Sequence, residues 1–384
     1  MAPYIICFLM TGIFAMANDH FLKKKAKSLV IITAIFIIII PAILAGVRSY
    51  SIGTDVNFYV LPSFNLATNF HSINDWIGTF NNPMYPTGRM EKGFLLLVYL
   101  ISRISTDGHF LLFVIATIID FFIYFSLYQL RTICSVFIGE VVFLFTQYNA
   151  SFNMARQSIS MAICLYAFSI LLTNQNKKYM KFFIWVIIAM QFHTAAVLSI
   201  FYLLIYIILR KQNSMSLLKK SSLVIGLMLL VLLFVPTVQY LVKIGILNAH
   251  YLDYLSSDVS GAAAGSISIL SLLIYSSGYI PLILGAKYLD KYKNIFILMA
   301  IMDVAFMGLA TVSFYLYRIA AYFMIIRVVS LSQKSLYSLK PQDSILTNPY
   351  VLWVGTIILY VMYFVYFTVL LNWHQTFPFI FMNN

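Results

Sequence analysis

Charged residues and cysteines are scarce in this sequence. Only 10% of its 384 residues are Asp, Glu, Lys or Arg, whereas soluble domains carry about 25%. Hydrophobic residues make up 62%, and a soluble core could not bury so much apolar surface, so lipid must surround most of the chain. The three cysteines lie inside apolar runs, which argues against a disulfide framework or a metal cluster. The composition therefore excludes an ordinary soluble protein.

Three patterns typical of other membrane and secreted proteins are also missing. The apolar runs are continuous and do not alternate over ~10-residue segments, so a strand-based barrel is not indicated. The apolar residues 3–17 are followed, and not preceded, by the lysine group at 23–27, which predicts a retained first span and not a secretory signal. No internal repeat of the transporter type is visible. We predict an all-α, polytopic integral membrane protein forming one membrane domain over residues 1–384.

The apolar runs predict about eleven or twelve membrane spans, at ~20 residues per crossing. Two stretches do not fit simply. Residues 94–104 are too short for a crossing and suit a re-entrant or interfacial helix. Residues 182–209 are too long for one crossing and are interrupted at Gln191, His193 and Thr194, which predicts two half-helices or one tilted helix. The simpler spans are 3–17, 28–47, 109–129, 133–148, 156–173, 222–242, 267–286, 295–313, 316–331 and 349–371.

Lysine and arginine predict the orientation of these spans. By the positive-inside rule, the lysine groups are cytoplasmic. A long first loop, 48–92, and a smaller loop, 246–266, then face outward. The basic residues left on the outer side are mostly arginines, whose planar fork binds phosphate through two parallel hydrogen bonds. Orientation thus explains most of the net charge of +13, and a nucleic-acid partner is not indicated. The lysine groups lie at 23–27, 177–181, 210–220, 287–293 and 334–340.

The first part of loop 48–92 is rich in hydrogen-bonding side chains beside a predicted span. A Gly-Thr turn there presents Asp55. One interpretation is that this carboxylate acts as a general base on a sugar hydroxyl. The other is an Asx-turn in which Asp55 caps a helix over residues 56–61, and the spacing leaves both open. Further candidate ligand-binding residues of the loop are Arg48, Thr54, Tyr59 and Glu91.

A second polar group lies at the outer end of a later span. If the chain is helical from residue 153 onward, Asn153, Arg156, Gln157 and Ser160 share one face. An arginine in lipid is costly and often marks a substrate path. A snorkelling arginine is the alternative, but it needs no polar partners at helical spacing. We therefore predict that Asn153, Arg156 and Gln157 face a substrate.

His193 and a tyrosine–arginine corner are further candidates. His193 lies at the break in the overlong stretch, where irregular backbone is tolerated if it lines a cavity. A proton carrier and a structural histidine both remain open. At the corner, Tyr315, Tyr317 and Arg318 would suit a sugar phosphate, because sugars stack on tyrosine rings. The same residues equally fit an aromatic belt with a snorkelling arginine at the membrane interface.

Three acidic residues, Asp120, Glu140 and Asp303, lie within apolar runs. They are candidates for the ion or proton sites of a transporter. They are also candidates for hydrogen-bonding groups between helices. No basic residue lies beside them in the sequence, which favours the second interpretation.

Five motifs, taken in order, resemble one known family. They are A-G-V-R-S-Y-S-I-G-T-D-V-N-F-Y, E-K-G-F, N-x-x-R-Q, Q-F-H-T-A and Y-x-Y-R. Their arrangement resembles the EpsG family of polysaccharide-polymerising membrane proteins, which is grouped with Wzy-type O-antigen and capsule polymerases. The similarity extends from about residue 46 to 325, with Lys92 where the family more often has proline.

The resemblance implies a bacterial inner-membrane enzyme with an extracytoplasmic active face. Such an enzyme joins oligosaccharide repeat units carried on undecaprenyl pyrophosphate, which are both donor and acceptor, into O-antigen, capsule or exopolysaccharide. The family looks similar in layout to the GT-C glycosyltransferases, whose first external loop holds a catalytic acid, and Asp55 matches that position. A flippase and a chain-length regulator are the implied protein partners.

The expected chemistry is an inverting transfer. Asp55 is the first candidate for the base and His193 the second. Arg156 is the first candidate to neutralise the leaving pyrophosphate, with Arg48 and Arg318 as further candidates. Because arginines are abundant we expect no cofactor, although Asp55 and Glu91 holding a divalent cation is an alternative. A flippase or transporter, a single-sugar transferase and an O-antigen ligase are the alternative functions.

Overall fold

The structure is a computed structural model. It describes residues 1–80, 82, 84–173, 175–210, 222, 226, 229, 233–244, 267–289, 292–310, 317–337 and 348–382. Loop 246–266, Tyr315 and part of the predicted span 222–242 (residues 223–225, 227–228 and 230–232) lie outside these residues. The chain divides into two compact units. The first comprises Met1–Ser199, Leu331–Lys334 and Ile357–Asn384, and the second comprises Ile200–Ser330 and Ser335–Thr356.

The described residues form helices, turns and two isolated antiparallel bridges. In the first unit the helices are α1 (Ala2–Lys24), α2 (Lys27–Gly46), a π-helix (Val56–Val60), α3 (Leu61–Thr68), α4 (Ile73–Gly78), a 3-10 helix (Pro86–Arg89), α5 (Lys92–Ser102), α6 (Gly108–Gln129), α7 (Val136–Thr146), α8 (Tyr148–Asn153), α9 (Ala155–Leu171), α10 (Lys178–Met190) and a 3-10 helix (Thr194–Ser199).

The second unit and the C-terminal helix complete the described elements. They are α11 (Ile200–Leu209), α12 (Phe234–Lys243), α13 (Ile269–Ser277), α14 (Ile280–Leu284), a 3-10 helix (Ala286–Tyr288), α15 (Lys293–Leu309), α16 (Tyr317–Met324), α17 (Arg327–Ser330), a 3-10 helix (Lys334–Tyr337), and α18 (Pro349–Phe364), which continues as a π-helix (Val365–Leu370).

Among the described residues, four helices are long and apolar enough to cross a membrane, namely α1, α2, α6 and the combined segment Pro349–Leu370. The all-α, polytopic architecture is therefore confirmed, while the total of eleven or twelve spans stays a prediction. Helix α1 runs to Lys24, past the predicted end at residue 17, because lysines in a last turn favour a helix C-terminus. It stops where Lys25 adopts a left-handed conformation, with φ of 55°.

The first unit is a helix bundle in which α2 packs on α1 and α6, and α6 packs on α9. Polar contacts join its helices. Asn18 of α1 donates to Thr33 Oγ1 of α2 at 2.8 Å. The Asp19 carboxylate accepts from the amides of Val136 and Phe137 at 3.0 and 3.1 Å. An acid at the N-terminus of α7 satisfies donors that the helix itself leaves unpaired.

The two difficult stretches form broken or short helices. Residues 94–102 belong to α5, an eleven-residue helix that buries Phe94, Leu95 and Val98 and exposes Leu96 and Leu100, and residues 103 and 104 form the turn after it. Residues 182–209 form α10 and α11, separated by an irregular turn at 191–193 and a 3-10 helix. The interruption predicted at Gln191, His193 and Thr194 is confirmed.

In the second unit, Asp303 has a basic partner after all. The side chains of Asp303 and Arg327 are both fully buried, with Arg327 Nε at 2.8 Å from Asp303 Oδ2. The Tyr279 hydroxyl donates to the same oxygen at 2.6 Å, and the Tyr275 hydroxyl also bonds to the carboxylate. Sequence adjacency could not reveal this pair, because the arginine comes from a later helix. The first-unit acids Asp120 and Glu140 are buried too, and each has one oxygen with no hydrogen-bond partner in the described part of the chain.

Candidate functional site

The turn before Asp55 rests directly on the backbone of Phe152. Gly53 has φ of 90°, and a Cβ at this position would overlap the Phe152 carbonyl oxygen. A residue with a side chain is therefore excluded twice, by backbone conformation and by space. Val56 donates its amide to the Gly53 carbonyl at 3.1 Å. The turn therefore fixes the backbone position of Asp55, from which the carboxylate extends.

Asp55 lies at the start of the π-helix but does not cap it. Its backbone is already helical, with φ of −59° and ψ of −26°, and its side chain makes no capping hydrogen bond. A capping side chain normally belongs to a residue in the extended region, so the Asx-turn interpretation is wrong. Instead the carboxylate, on a residue 8% exposed, accepts from the Tyr59 hydroxyl one turn later.

Tyr59 connects Asp55 to Arg156. The Arg156 guanidinium lies over the Tyr59 ring, 4.7 Å from its centroid, and its Nη1 pairs with Glu91 Oε2. The side chains of Arg156 and Glu91 are 18% and 13% exposed. We call Asp55, Tyr59, Glu91 and Arg156 the Asp55–Arg156 cluster. It joins loop 48–92 to the start of α9.

Arg156 keeps unused hydrogen-bonding capacity. Its Nε is buried and has no hydrogen-bond partner among the described residues. A buried, unsatisfied donor on a charged group is costly. The Nε edge of this arginine is therefore suited to an anionic ligand that lies outside the protein's own contacts.

Glu91 is held by the break between α10 and α11. Its Oε1 accepts from the Thr194 amide at 3.2 Å. The Gln191 carbonyl accepts from the amides of Gly93 and Phe94 at 2.9 and 3.2 Å. A Cβ on Gly93 would lie 2.6 Å from Gln191 Cβ, so this close approach requires glycine. The start of α5 thus docks on the irregular turn.

His193 lies in this same turn, next to the residue that binds Glu91. It is half-buried, and its carbonyl accepts from the Ser160 hydroxyl at 3.4 Å. The structure therefore places His193 beside the Asp55–Arg156 cluster. Its role as a second base stays a prediction.

Thr54 and Asn153 form a hydrogen-bonded chain with the C-terminal segment, residues 371–382. Thr54 Oγ1 donates to Asn153 Oδ1 at 2.9 Å, and Asn153 Nδ2 donates to the His374 carbonyl at 2.6 Å. Asn153 does not share a helix face with Arg156, because Met154, with φ of −121° and ψ of 50°, separates α8 from α9. That expectation is wrong, although both residues still reach the same region.

Arg48 is more enclosed than its predicted role implies. It is 3% exposed, its guanidinium lies 4.1 Å from the centroid of the Phe152 ring, and Nη1 donates to the Ala45 carbonyl at 2.6 Å. Burial lowers the pKa of Arg48 to about 10, so it stays charged at neutral pH. Its Nε has no hydrogen-bond partner within the described residues.

The remaining candidates are Gln157, Tyr315, Tyr317 and Arg318. Gln157 is buried and bonds to Met161 Sδ at 3.9 Å, one turn along α9. Tyr317 and Arg318 begin α16 of the second unit, Tyr317 buried and Arg318 half-buried. Tyr315 is outside the described residues. Ligand-binding roles for these four residues stay predictions.

Sequence reasoning missed the C-terminal segment. A cluster of polar residues after the last apolar run, from Asn372 to Thr376, was the available signal. In the structure Thr376 is fully buried and accepts from both Tyr4 and Asn149. Residues 380–382 pair with 47–49, with the Ser49 amide donating to the Ile380 carbonyl at 2.8 Å and the Met382 amide to the Val47 carbonyl at 2.9 Å.

The charge of the site is distributed between one cation and two carboxylates. The Glu91 carboxylate is paired with Arg156, and the Asp55 carboxylate bonds to the Tyr59 hydroxyl. As the two carboxylates of the cluster, they are the residues that would hold a divalent cation. Among the described residues, no group of three or more His, Cys, Asp or Glu side chains is arranged to bind a metal ion. The positive charge within the Asp55–Arg156 cluster is that of Arg156.

Comparison with known proteins gives one match. Neither the curated proteins nor the solved structures include a match to this chain. A family model does match, over residues 31–381, and its description is EpsG family. The matched range includes every residue of the Asp55–Arg156 cluster and nearly all of the C-terminal segment.

Proposed function

The chain belongs to the EpsG family of polysaccharide-polymerase-type membrane proteins, and on this premise we propose that it is a Wzy-type glycosyltransferase. It joins oligosaccharide repeat units carried on undecaprenyl pyrophosphate into O-antigen, capsule or exopolysaccharide. The reaction takes place on the extracytoplasmic face of the bacterial inner membrane. A flippase supplies the repeat units, and a chain-length regulator acts on the product.

The Asp55–Arg156 cluster is the observation that carries this proposal. A carboxylate and a guanidinium lie on either side of one tyrosine, with Asp55 bonded to the Tyr59 hydroxyl and Arg156 over the ring. Transfer from a sugar pyrophosphate needs a base for the acceptor hydroxyl and a cation for the leaving group. Asp55 can supply the base and Arg156 the cation, and only the Tyr59 side chain lies between them.

In the proposed step, the acceptor hydroxyl oxygen bonds to the anomeric carbon of the donor glycan. The bond from that carbon to the pyrophosphate oxygen breaks, and its electron pair leaves with undecaprenyl pyrophosphate. The hydroxyl proton passes to Asp55. A single displacement of this kind inverts the anomeric configuration.

Arg156 stabilises the charge that develops on the leaving pyrophosphate. Its Nε edge, which is unsatisfied within the described residues, donates to the phosphate oxygens while Nη1 stays on Glu91. Glu91 in this proposal is a positioning residue, since its other oxygen is fixed by the Thr194 amide. Arg48 and Arg318 are further proposed phosphate contacts, and His193 is the alternative base. No metal is part of the step.

Product analysis of purified protein in lipid vesicles tests this function. We expect lipid-linked repeat units to yield a ladder of glycan lengths. A single added sugar or one shifted band would indicate a single-sugar transferase or an O-antigen ligase. Movement of the lipid-linked glycan between leaflets without new glycosidic bonds would indicate a flippase, for which buried Asp120 and Glu140 would then be the residues of interest.

A further inference from the structure

The C-terminal segment, residues 371–382, is bonded to three separate parts of the first unit. At its end, Phe381 forms an antiparallel bridge with Arg48. In its middle, the Thr376 carbonyl accepts from the Tyr4 hydroxyl at 2.6 Å, and Thr376 Oγ1 accepts from Asn149 Nδ2 at 2.9 Å. The segment is thus fixed to α1, to α8 and to residues 47–49.

The segment also fixes its own conformation between residues 372 and 377. Asn372 Nδ2 donates to the Phe377 carbonyl at 2.6 Å, and the Phe377 amide donates back to Asn372 Oδ1 at 3.0 Å. The Gln375 amide donates to the Asn372 carbonyl at 2.9 Å. This closed turn carries His374, whose carbonyl therefore has a defined direction.

Asn153 connects the His374 carbonyl to loop 48–92 through two hydrogen bonds. A backbone carbonyl only accepts hydrogen bonds, so the Asn153 amide nitrogen must face His374 O and its oxygen must face Thr54. Both ends of the amide are occupied by protein, which favours a positioning role for Asn153 over direct contact with a sugar. Thr54 in turn immediately precedes Asp55.

We propose that the C-terminal segment is a working part of the active site, in which Asn153 and Thr376 are positioning residues that hold the Gly53–Asp55 turn. This inference rests on the proposed function, because the turn presents the proposed base. General-base catalysis depends on the base being within hydrogen-bond reach of the acceptor hydroxyl. A small displacement of the turn lowers the rate of the chemical step more than it lowers substrate binding.

Four variants of the full-length protein test the proposal. Thr54→Val removes the hydroxyl that Asn153 accepts from, and Thr54→Ser keeps it. Thr376→Val removes the acceptor for Asn149 inside the segment. Thr68→Val is the matched control, since Thr68 is a half-buried residue on α3 of the same loop whose hydroxyl donates to the Asn65 carbonyl, one turn earlier.

Steady-state kinetics with lipid-linked repeat units give the first readout. We expect Thr54→Val and Thr376→Val to lower kcat about tenfold while KM changes less than about twofold. Thr68→Val should stay near the wild-type kcat, and Thr54→Ser should recover part of the activity that Thr54→Val loses. Wild-type kcat in both Thr54→Val and Thr376→Val would overturn the proposal while leaving the proposed function intact.

Hydrogen exchange of peptides covering residues 50–60 gives a second readout that does not depend on activity. We expect faster exchange there in Thr376→Val than in wild type or Thr68→Val. Unchanged exchange would overturn the proposal whatever the kinetics show. Failure of wild-type protein to form any glycosidic bond would instead reject the proposed function, and faster exchange with unchanged kcat would leave the segment with a structural role only.

Discussion

At the scale of single residues, polar side chains of the site differ in how many of their hydrogen-bonding groups the protein itself uses. Arg156 uses Nη1 on Glu91 and its flat face on Tyr59, which leaves Nε for a ligand. Asn153 uses both ends of its amide within the protein. Two polar residues that look alike in the sequence thus differ in how many hydrogen-bonding groups remain for a substrate.

Arg156→Lys tests the importance of the guanidinium fork. Lysine keeps the charge, but it lacks the planar guanidinium that can bond Glu91 through one edge and a phosphate through another. We expect kcat to fall about 10- to 100-fold in the ladder assay. Arg131→Lys, at an exposed arginine bonded to the Tyr128 carbonyl, is the control and should keep wild-type kcat. Equal activity of both variants would mean that Arg156 acts only as a point charge.

His374 predicts how stability depends on pH. Burial lowers the pKa of His374 to about 4, whereas an unfolded histidine titrates near 6.5. The unfolded chain therefore binds more protons between these values, and acid favours unfolding. The contribution of His374 to stability is fully present above about pH 6.5 and is lost as the pH falls toward 4.

Thermal unfolding in detergent at about pH 7.5 and about pH 5 checks this expectation. The Tm of wild type should fall on acidification, and His374→Gln should fall less, because the substituted side chain does not titrate. His71→Gln, at an exposed histidine, should behave as wild type. Identical decreases in wild type and His374→Gln would contradict the prediction.

At the scale of elements, the sequence predicted long apolar helices well and breaks in them partly. Spans 28–47 and 109–129 agree with α2 and α6 to within a residue or two, because continuous apolar runs allow only helices in lipid. The break at 191–194 was visible as polar residues in an apolar stretch. The break at Met154 was not, since the residues around it are compatible with a continuous helix.

The docking of α5 on the irregular turn yields a prediction at this scale. A Cβ on Gly93 would lie 2.6 Å from Gln191 Cβ and 2.7 Å from its carbonyl oxygen. Gly93→Ala should therefore cost about 1–3 kcal/mol of stability despite the better helix propensity of alanine. It should also lower activity, because Glu91 would be displaced from Arg156.

Gly78→Ala is the matched control for this change. A Cβ there would meet nothing within 4 Å, so it should leave stability and activity near wild type or raise stability slightly. Chemical denaturation and the ladder assay measure both quantities. A Gly93→Ala protein as stable and active as Gly78→Ala would contradict the close approach.

At the scale of the whole molecule, the distribution of lysine and arginine in the sequence predicts which segments lie on the same side of the membrane. Loop 48–92 and Arg156 were assigned to one side of the membrane from lysine counts, and the structure brings Asp55, Glu91 and Arg156 into one cluster. The C-terminal segment was not predicted as part of the site, because its contacts join residues more than 200 positions apart. Short-range patterns carry no signal for such pairings.

Cysteine accessibility tests the orientation. The three native cysteines are buried, so they should contribute little background labelling. Ser51→Cys, at an exposed position of loop 48–92, should react with a membrane-impermeant thiol reagent added outside. Lys24→Cys, exposed at the end of α1, should react only after the membrane is opened. Labelling of Lys24→Cys from outside would reverse the orientation.

Asp55 of the Asp55–Arg156 cluster is the proposed base for glycan polymerisation. The most direct measurement is the glycan ladder formed from lipid-linked repeat units by purified Asp55→Asn protein, with Asp75→Asn, an exposed acid of α4 in the same loop, as the control. We expect Asp55→Asn to bind the lipid-linked substrate and leave it as single repeat units, with polymer reduced by at least about 100-fold, while Asp75→Asn gives the wild-type ladder. A full-length ladder from correctly folded Asp55→Asn would contradict the account.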